Sequence, residues 1–393
     1  MFANLRLTRN PLMRLAAAAS ALWLAACDPM TTPGGAAGPG INTSAPVPVA
    51  LLLPAGSGNS GEEMLAKSLR QAAELAISDL DGVKIDLRIY NTGANAQTAA
   101  AMASKAVDEG AKIILGPVFA EAANAAGLAV ANRGVNVLSF SNNTDIAGGN
   151  VFVLGPTFPN TANRLASFAA KQGKRRILVV SEQTTAGEIG ARAITGAIQR
   201  SGATLAGTAA YPFSQQGVVD AVPGIAARVK AGDVDALFLT ADTAGALPLL
   251  TQLLPEQGVN PAATQFIGLT RWDIPPATLA LPGVQGGWIA MPDPNLNRQF
   301  QSRYQAAFGE APHPIAGLAY DGIAAIGALV KAGKADALSR GALTQNAGFV
   351  GVNGIFRLRP DGTNERGLAV ATIRNGTVAI IDPAPRSFGG AGF

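Results

Sequence analysis

The chain has 393 residues, of which 48% are hydrophobic and 14% charged, against a usual charged share of about 25%. Its pI of 9.3 and net charge of +4 look basic, but Arg6, Arg9 and Arg14 supply three of those four net charges within the first 26 residues, leaving a near-neutral remainder that gives no argument for a nucleic-acid surface. One Cys (Cys27) and one His (His313) exclude an intrachain disulfide, a multi-Cys or multi-His metal site, and any Cys–His pair but this one.

Residues 1–26 read as an export signal, with the three Arg as a positive start and Leu15–Leu24 as an apolar run too short to span a bilayer. The run ends in Leu24-Ala25-Ala26-Cys27, which resembles the bacterial lipobox and implies that Cys27 becomes the lipidated first residue of the mature chain. The resemblance would place the protein on the periplasmic face of the cell envelope, anchored by lipid to the inner or the outer membrane. Residues 27–46, with four Pro, four Gly and no apolar periodicity, form the expected flexible linker.

From Val47 the chain alternates short apolar runs with helical patterns, enough for two domains of about 150 residues each. Strand Val47–Leu53 precedes helix Glu62–Leu80, whose apolar residues recur at helical spacing. Strand Val83–Tyr90, helix Ala96–Glu109, strand Lys112–Leu115, helix Glu121–Asn132 and strand Val135–Phe140 complete a first half. After Gly155-Pro156 the alternation restarts with helix Asn160–Lys171, strand Arg176–Val180, helix Glu188–Ser201 and strand Ala203–Ala210. Helix Val218–Lys230, which Pro223 should kink or split, leads to strand Ala236–Thr240, helix Ala244–Leu254 and strands Gln265–Leu269 and Gly287–Met291. Helices Leu296–Phe308 and Ile315–Ala332 follow, then three strands, Phe349–Leu358, Gly367–Arg374 and Thr377–Ile381, with Asp361-Gly362 and Asn375-Gly376 as turns. Unbroken apolar strands alternating with helices predict two doubly wound α/β lobes with parallel sheets, which bind ligands beyond the carboxyl ends of their strands.

Catalytic motifs are sparse. Gly56-Ser57-Gly58-Asn59-Ser60-Gly61 spells G-x-G-x-x-G between a strand and a helix. A dinucleotide site is disfavoured, because the next strand ends in Tyr90-Asn91 where a ribose-binding acid should stand. Glu62 and Glu63 also set carboxylates where a pyrophosphate would lie, so the segment reads as a loop feeding a helix N-terminus and no cofactor is expected. His313, between Pro312 and Pro314, suits a helix start better than a catalytic base. Asp233 and Asp235 read as solvated loop groups, and no D-x-D-x-D-G loop is present. A non-catalytic binding protein is the expectation.

Several segments together resemble type I periplasmic binding proteins of the leucine-binding branch, across residues 47–381. They are Ala50-Leu51-Leu52-Leu53-Pro54 with the Gly56–Gly61 loop, Ile113-Ile114-Leu115-Gly116-Pro117, Val135-Asn136-Val137-Leu138-Ser139, Ala319-Tyr320-Asp321-Gly322-Ile323, and Gly351–Leu358 with Asp361-Gly362. The resemblance implies two lobes joined by three crossovers, with a ligand at the hinge. Lobe 1 would comprise residues 47–155 plus 291–347, lobe 2 residues 156–290 plus 348–381, and residues 382–393 a flexible tail. Carried over loop by loop, it offers Ser57, Phe119, Ser141 and Asn142 from lobe 1 and Gln183, Tyr211, Asp242 and Trp272 from lobe 2. The sequence departs from amino-acid receptors at two points. Residues 118–122 (VFAEA) lack the small hydroxyls that receive an α-carboxylate, and Gly245 stands near the position of the Glu that holds the α-amine. The opening strand, the Ile-Leu-Gly-Pro strand end and the lipid anchor also look like lipoprotein activators of penicillin-binding proteins, whose partner is a peptidoglycan synthase. The alternative is a receptor that delivers a branched-chain or related amino acid to an ABC permease.

Overall fold

A computed structural model describes residues 38–389. The expected signal segment and Cys27 lie outside the described residues. Among those described, no helix is long and apolar enough to cross a membrane.

The first sheet has five parallel strands in the order β2-β1-β3-β4-β5: β1 (Val47–Leu53), β2 (Ile85–Asn91), β3 (Ile113–Leu115), β4 (Val137–Ser139) and β5 (Val151–Val153). One face packs against α1 (Ser60–Ser78) through Leu65, Leu69 and Ala73, and the other against α2 (Ala96–Asp108) and α3 (Ala120–Val130) through Ala103, Ala126 and Val130. Burial on both faces explains why β1 reads as a continuous apolar run. The second sheet has seven strands in the order β15-β14-β10-β9-β8-β6-β7. Its strands β6 (Arg176–Glu182), β7 (Thr204–Tyr211), β8 (Ala236–Leu239), β9 (Gln265–Gly268) and β10 (Trp288–Met291) run parallel, and β14 (Ala369–Arg374) and β15 (Thr377–Asp382) add antiparallel strands at its edge. Helices α4 (Phe158–Lys171) and α5 (Thr185–Ser201) cover one face, while α6 (Gln215–Lys230) and α7 (Leu247–Glu256) cover the other. Helices α8 (Pro294–Phe308) and α9 (Gly317–Lys331) return to pack beside α1 in the first lobe. The result is the expected two-lobe α/β fold.

The chain crosses between the lobes three times, at 154–157, 291–294 and 366–369. Several segments differ from expectation. Phe349–Leu358 is two strands, β11 (Phe349–Gly351) and β12 (Gly354–Leu358), because the chain reverses at Val352-Asn353 into Gly354, whose φ of 114° favours glycine. With β13 (Asn364–Arg366) these form a third small sheet. Phe349, Phe356 and Leu358 fill the first lobe's core, so of the span 348–381 assigned to lobe 2 only β14 and β15 enter the second sheet. The linker assignment for 27–46 fails over its described part: Ile41 is buried in the first core and its N–H donates to the Ala335 carbonyl at 2.8 Å. The described part of the expected tail, residues 382–389, is likewise held. Asp382 closes β15 and pairs with Arg164 at 2.8 Å, and the Arg357 guanidinium lies 4.6 Å from the Phe388 ring centroid. Pro223 sits inside α6 without ending it.

Candidate functional site

The carboxyl ends of β6, β7 and β8, at one side of the second sheet, bring together a group of titratable side chains. Glu182 ends β6 and lies in register with Tyr211, which ends β7. The chain leaving β8, the neighbour of β6 on its other side, runs through Thr240 to Asp242. The Glu182 N–H donates to Thr240 Oγ1 at 3.3 Å, and Thr184 Oγ1 donates to Glu182 Oε1 at 3.4 Å. Glu182 is 9% exposed, and its second oxygen, Oε2, has no hydrogen-bond partner. Burial pushes its carboxyl above the usual range, and the nearby Asp242 charge adds to that. Tyr211 is fully buried and its hydroxyl is also unpartnered. Burial raises the phenol first, and the Glu182 and Asp242 charges raise it further. Asp242 is exposed, and its Oδ1 accepts the Gly245 N–H at 2.6 Å. The cluster is therefore two carboxylates and a phenol, and no cation contributes to the shifts of Glu182 or Tyr211. Negative charge held this way favours a ligand that brings a positive group with N–H donors.

The other expected lobe 2 residues divide. Gln183 is exposed beside this cluster, with its backbone N–H on the Tyr211 carbonyl at 2.8 Å. Trp272 is in the core, not in a cleft. It is fully buried among Leu250, Val284 and Ile289, and a Cβ at Gly268 or Gly287 would fall 2.3 or 2.2 Å from its ring. Glu182 was absent from the sequence-derived set, although an acid closing the run RILVVS is a legible signal.

In the first lobe the expected residues sit at the ends of β1, β3 and β4. Ser57 is exposed and its Oγ accepts the Asn59 N–H at 3.1 Å. Phe119 is 38% exposed immediately before α3. Ser141 is buried, its Oγ accepting the Asn143 N–H at 3.1 Å, and Asn142 is exposed. Among the described residues no hydrogen bond links these four to Glu182, Tyr211 or Asp242. The Gly56–Gly61 loop uses its own donors: Gly56 N–H goes to Glu63 Oε1 at 2.6 Å, and Asn59 Oδ1 accepts from Gly61 and Glu62. Those bonds occupy the groups a pyrophosphate would need. His313 is half-buried near the start of α9, its N–H on Ser68 Oγ at 2.8 Å, and burial lowers its imidazole below the usual value. Among the described residues no group of three His, Cys, Asp or Glu could hold a metal ion.

Residues 46–377 match the family model described as "Periplasmic binding protein". The chain belongs to this family. No curated protein sequence matches it significantly. Its fold is similar to that of a Rhodospirillum rubrum protein assigned to a branched-chain amino acid ABC transporter, with TM-score 0.73 and 20% identity over 86% of this chain and 100% of that one. It is also similar to an ABC transporter substrate-binding protein from Desulfitobacterium hafniense in complex with Leu, with TM-score 0.61 and 18% identity over 86% and 100% of the two chains. A third similar structure is a solute-binding protein of an ABC transporter from Rhodopseudomonas palustris, in complex with 3,4-dihydroxybenzoic acid (TM-score 0.55, 18% identity, 86% and 98% covered).

Proposed function

We propose that this periplasmic binding protein is a non-catalytic, extracytoplasmic receptor that captures an amine-bearing solute for an ABC permease. The observation that carries the reading is the Glu182–Tyr211–Asp242 cluster, in which buried acidic and phenolic oxygens lack partners. The similar structures include one with the zwitterion leucine and one with an aromatic acid. Two adjacent carboxylates favour the amine-bearing class and repel a simple acid. Gln183, Asp242 and, from the first lobe, Ser57, Phe119, Ser141 and Asn142 would complete the ligand's surroundings.

The test is a thermal-shift screen of amines, amino acids and aromatic acids, followed by calorimetry on Glu182→Gln. The variant should bind the best amine about tenfold more weakly or worse, the loss of one charge-assisted hydrogen bond. It should also be more stable. Because the folded Glu182 carboxyl titrates above its unfolded value, its contribution to stability falls as pH rises through the raised value. Glu182→Gln removes that loss, so the variant should be more stable than wild type at neutral pH, and the difference should shrink as pH falls and Glu182 protonates. Unchanged amine affinity would remove Glu182 from the site.

A second reading is a penicillin-binding protein activator that regulates peptidoglycan synthesis. It is favoured by the hydroxyl-free loop at 118–122 and by Gly245, both departures from amino-acid receptors. Capture of a penicillin-binding protein by the purified chain, with no thermal shift from any small molecule, would establish it over the receptor reading. Either role uses a lipid anchor at Cys27. Cys27→Ser should move the protein from the membrane fraction to the soluble fraction, and retention in the membrane fraction would refute the anchor.

A further inference from the structure

Behind the crossings lies a cavity of about 560 Å³ between α4, α5 and the segment leading into β13, well within the size of ligand pockets. Its walls include Thr157, Asn163, Arg164, Ser167, Arg200 and Asn364, none of which belongs to the acidic cluster. Arg164 is 7% exposed. Its Nε donates to the Leu368 carbonyl at 2.7 Å and its Nη2 to Asp382 at 2.8 Å, yet Nη1 has no partner. Asn364, 5% exposed, uses its amide nitrogen on the Val153 and Gly155 carbonyls and leaves Oδ1 unpartnered. A buried guanidinium nitrogen without a partner is costly, and it becomes favourable once an anion meets it. Arg200 is exposed at the same cavity, with Nε and Nη2 on Asn163 Oδ1 at 3.1 and 2.8 Å. The acids of the wall are already engaged: Glu365 pairs with Arg357 and Arg359, and Asp361 accepts from Thr363.

We propose that this cavity is a second binding site, for a small oxyanion carried on a hydroxylated body. The anionic group meets Arg164 Nη1 and Arg200, and a ligand hydroxyl donates to Asn364 Oδ1. The unpartnered donor and the unpartnered acceptor together specify a ligand with both functions, and the volume exceeds what a bare anion fills. The site lies on the chain crossings themselves. Thr157 ends the first and Asn364 precedes the third, so an occupant touches both crossings.

The experiment is a thermal-shift titration of the full chain with inorganic phosphate and with gluconate, against chloride at equal ionic strength. A rise over chloride of about 3 °C near ten times Kd is expected with at least one probe, and which probe gives it identifies the oxyanion as phosphate or carboxylate. Ser167→Asp, which puts a carboxylate in the cavity wall while leaving Arg164 in place, should abolish the rise. Arg200→Ala should weaken it by about tenfold. Glu182→Gln should leave it intact, which separates this site from the proposed solute cleft. No rise over chloride with either probe means the Arg164 guanidinium is met by water only, and the proposal fails. It fails equally if the rise survives both Ser167→Asp and Arg200→Ala.

Discussion

Replacing Asp321 with Ala should destabilise the protein by about 3–5 kcal/mol, read as a lower urea midpoint at unchanged m value. Asp321 is fully buried on α9, where Oδ2 accepts from Arg366 Nη1 at 3.1 Å and Oδ1 accepts the Val352 N–H at 2.8 Å. Arg366, 6% exposed, donates through Nε to the Leu154 carbonyl at 3.0 Å. One ion pair therefore ties α9 and the β11–β12 turn to the first and third crossings. Removing the carboxylate leaves a nearly buried guanidinium without its counter-charge, which costs more than the pair contributes. The double variant Asp321→Leu with Arg366→Met should recover part of the loss but not all. It takes away the charge, yet it leaves the Leu154 carbonyl and the Val352 N–H without partners. A loss under about 1 kcal/mol in the single variant would mean that water or a neighbour rescues Arg366. Gly351 follows from the same pair, since a Cβ there would lie 2.1 Å from Asp321 Oδ1.

This network joins segments distant in sequence, which no local pattern signals. Periodicity recovers elements whose own residues make the case, such as β1 with its apolar run and α1 with its buried face. The turn at Asn375-Gly376 is as legible, because φ values of 51° and 70° are what Asn-Gly accommodates. The third small sheet was not legible in full. Strand β13 is Asn-Glu-Arg, polar throughout, and two of its side chains are buried because they satisfy carbonyls of the crossing. Strand β5 has three residues, and only its pairing with β4 distinguishes it from loop. At the site the difficulty was the reverse. The apolar run stops at Val180, while the strand continues two residues to Glu182, so a run-based boundary leaves the acid outside the strand. The family resemblance offers Trp272 to the cleft, whereas its burial depends on Gly268 and Gly287, which no local pattern links to it.

Trp272→Ala accordingly tests a core role against a ligand role. The ring is fully buried against two glycines and among Leu250, Val284 and Ile289, so truncation leaves a void that the sheet cannot collapse into. The expected cost is about 3–5 kcal/mol, in the range of large aromatic truncations. Its Nε1 has no partner, so Trp272→Phe forfeits no hydrogen bond and should cost only about 1–2 kcal/mol from lost volume. If Trp272 contacted the solute, Trp272→Phe would change affinity more than stability. A core residue gives the opposite pattern: a lower urea midpoint with amine affinity of the folded protein unchanged. The geometry favours that separation, because Trp272 follows β9 and Glu182 ends β6, with β8 between them. Glycine supplies a control. Gly268→Ala would drive a Cβ to 2.3 Å from Trp272 Nε1 and should destabilise wild type, but in Trp272→Ala the same methyl enters empty space and should cost far less. A double-mutant cycle showing no such coupling would mean that the ring and the strand do not share this contact.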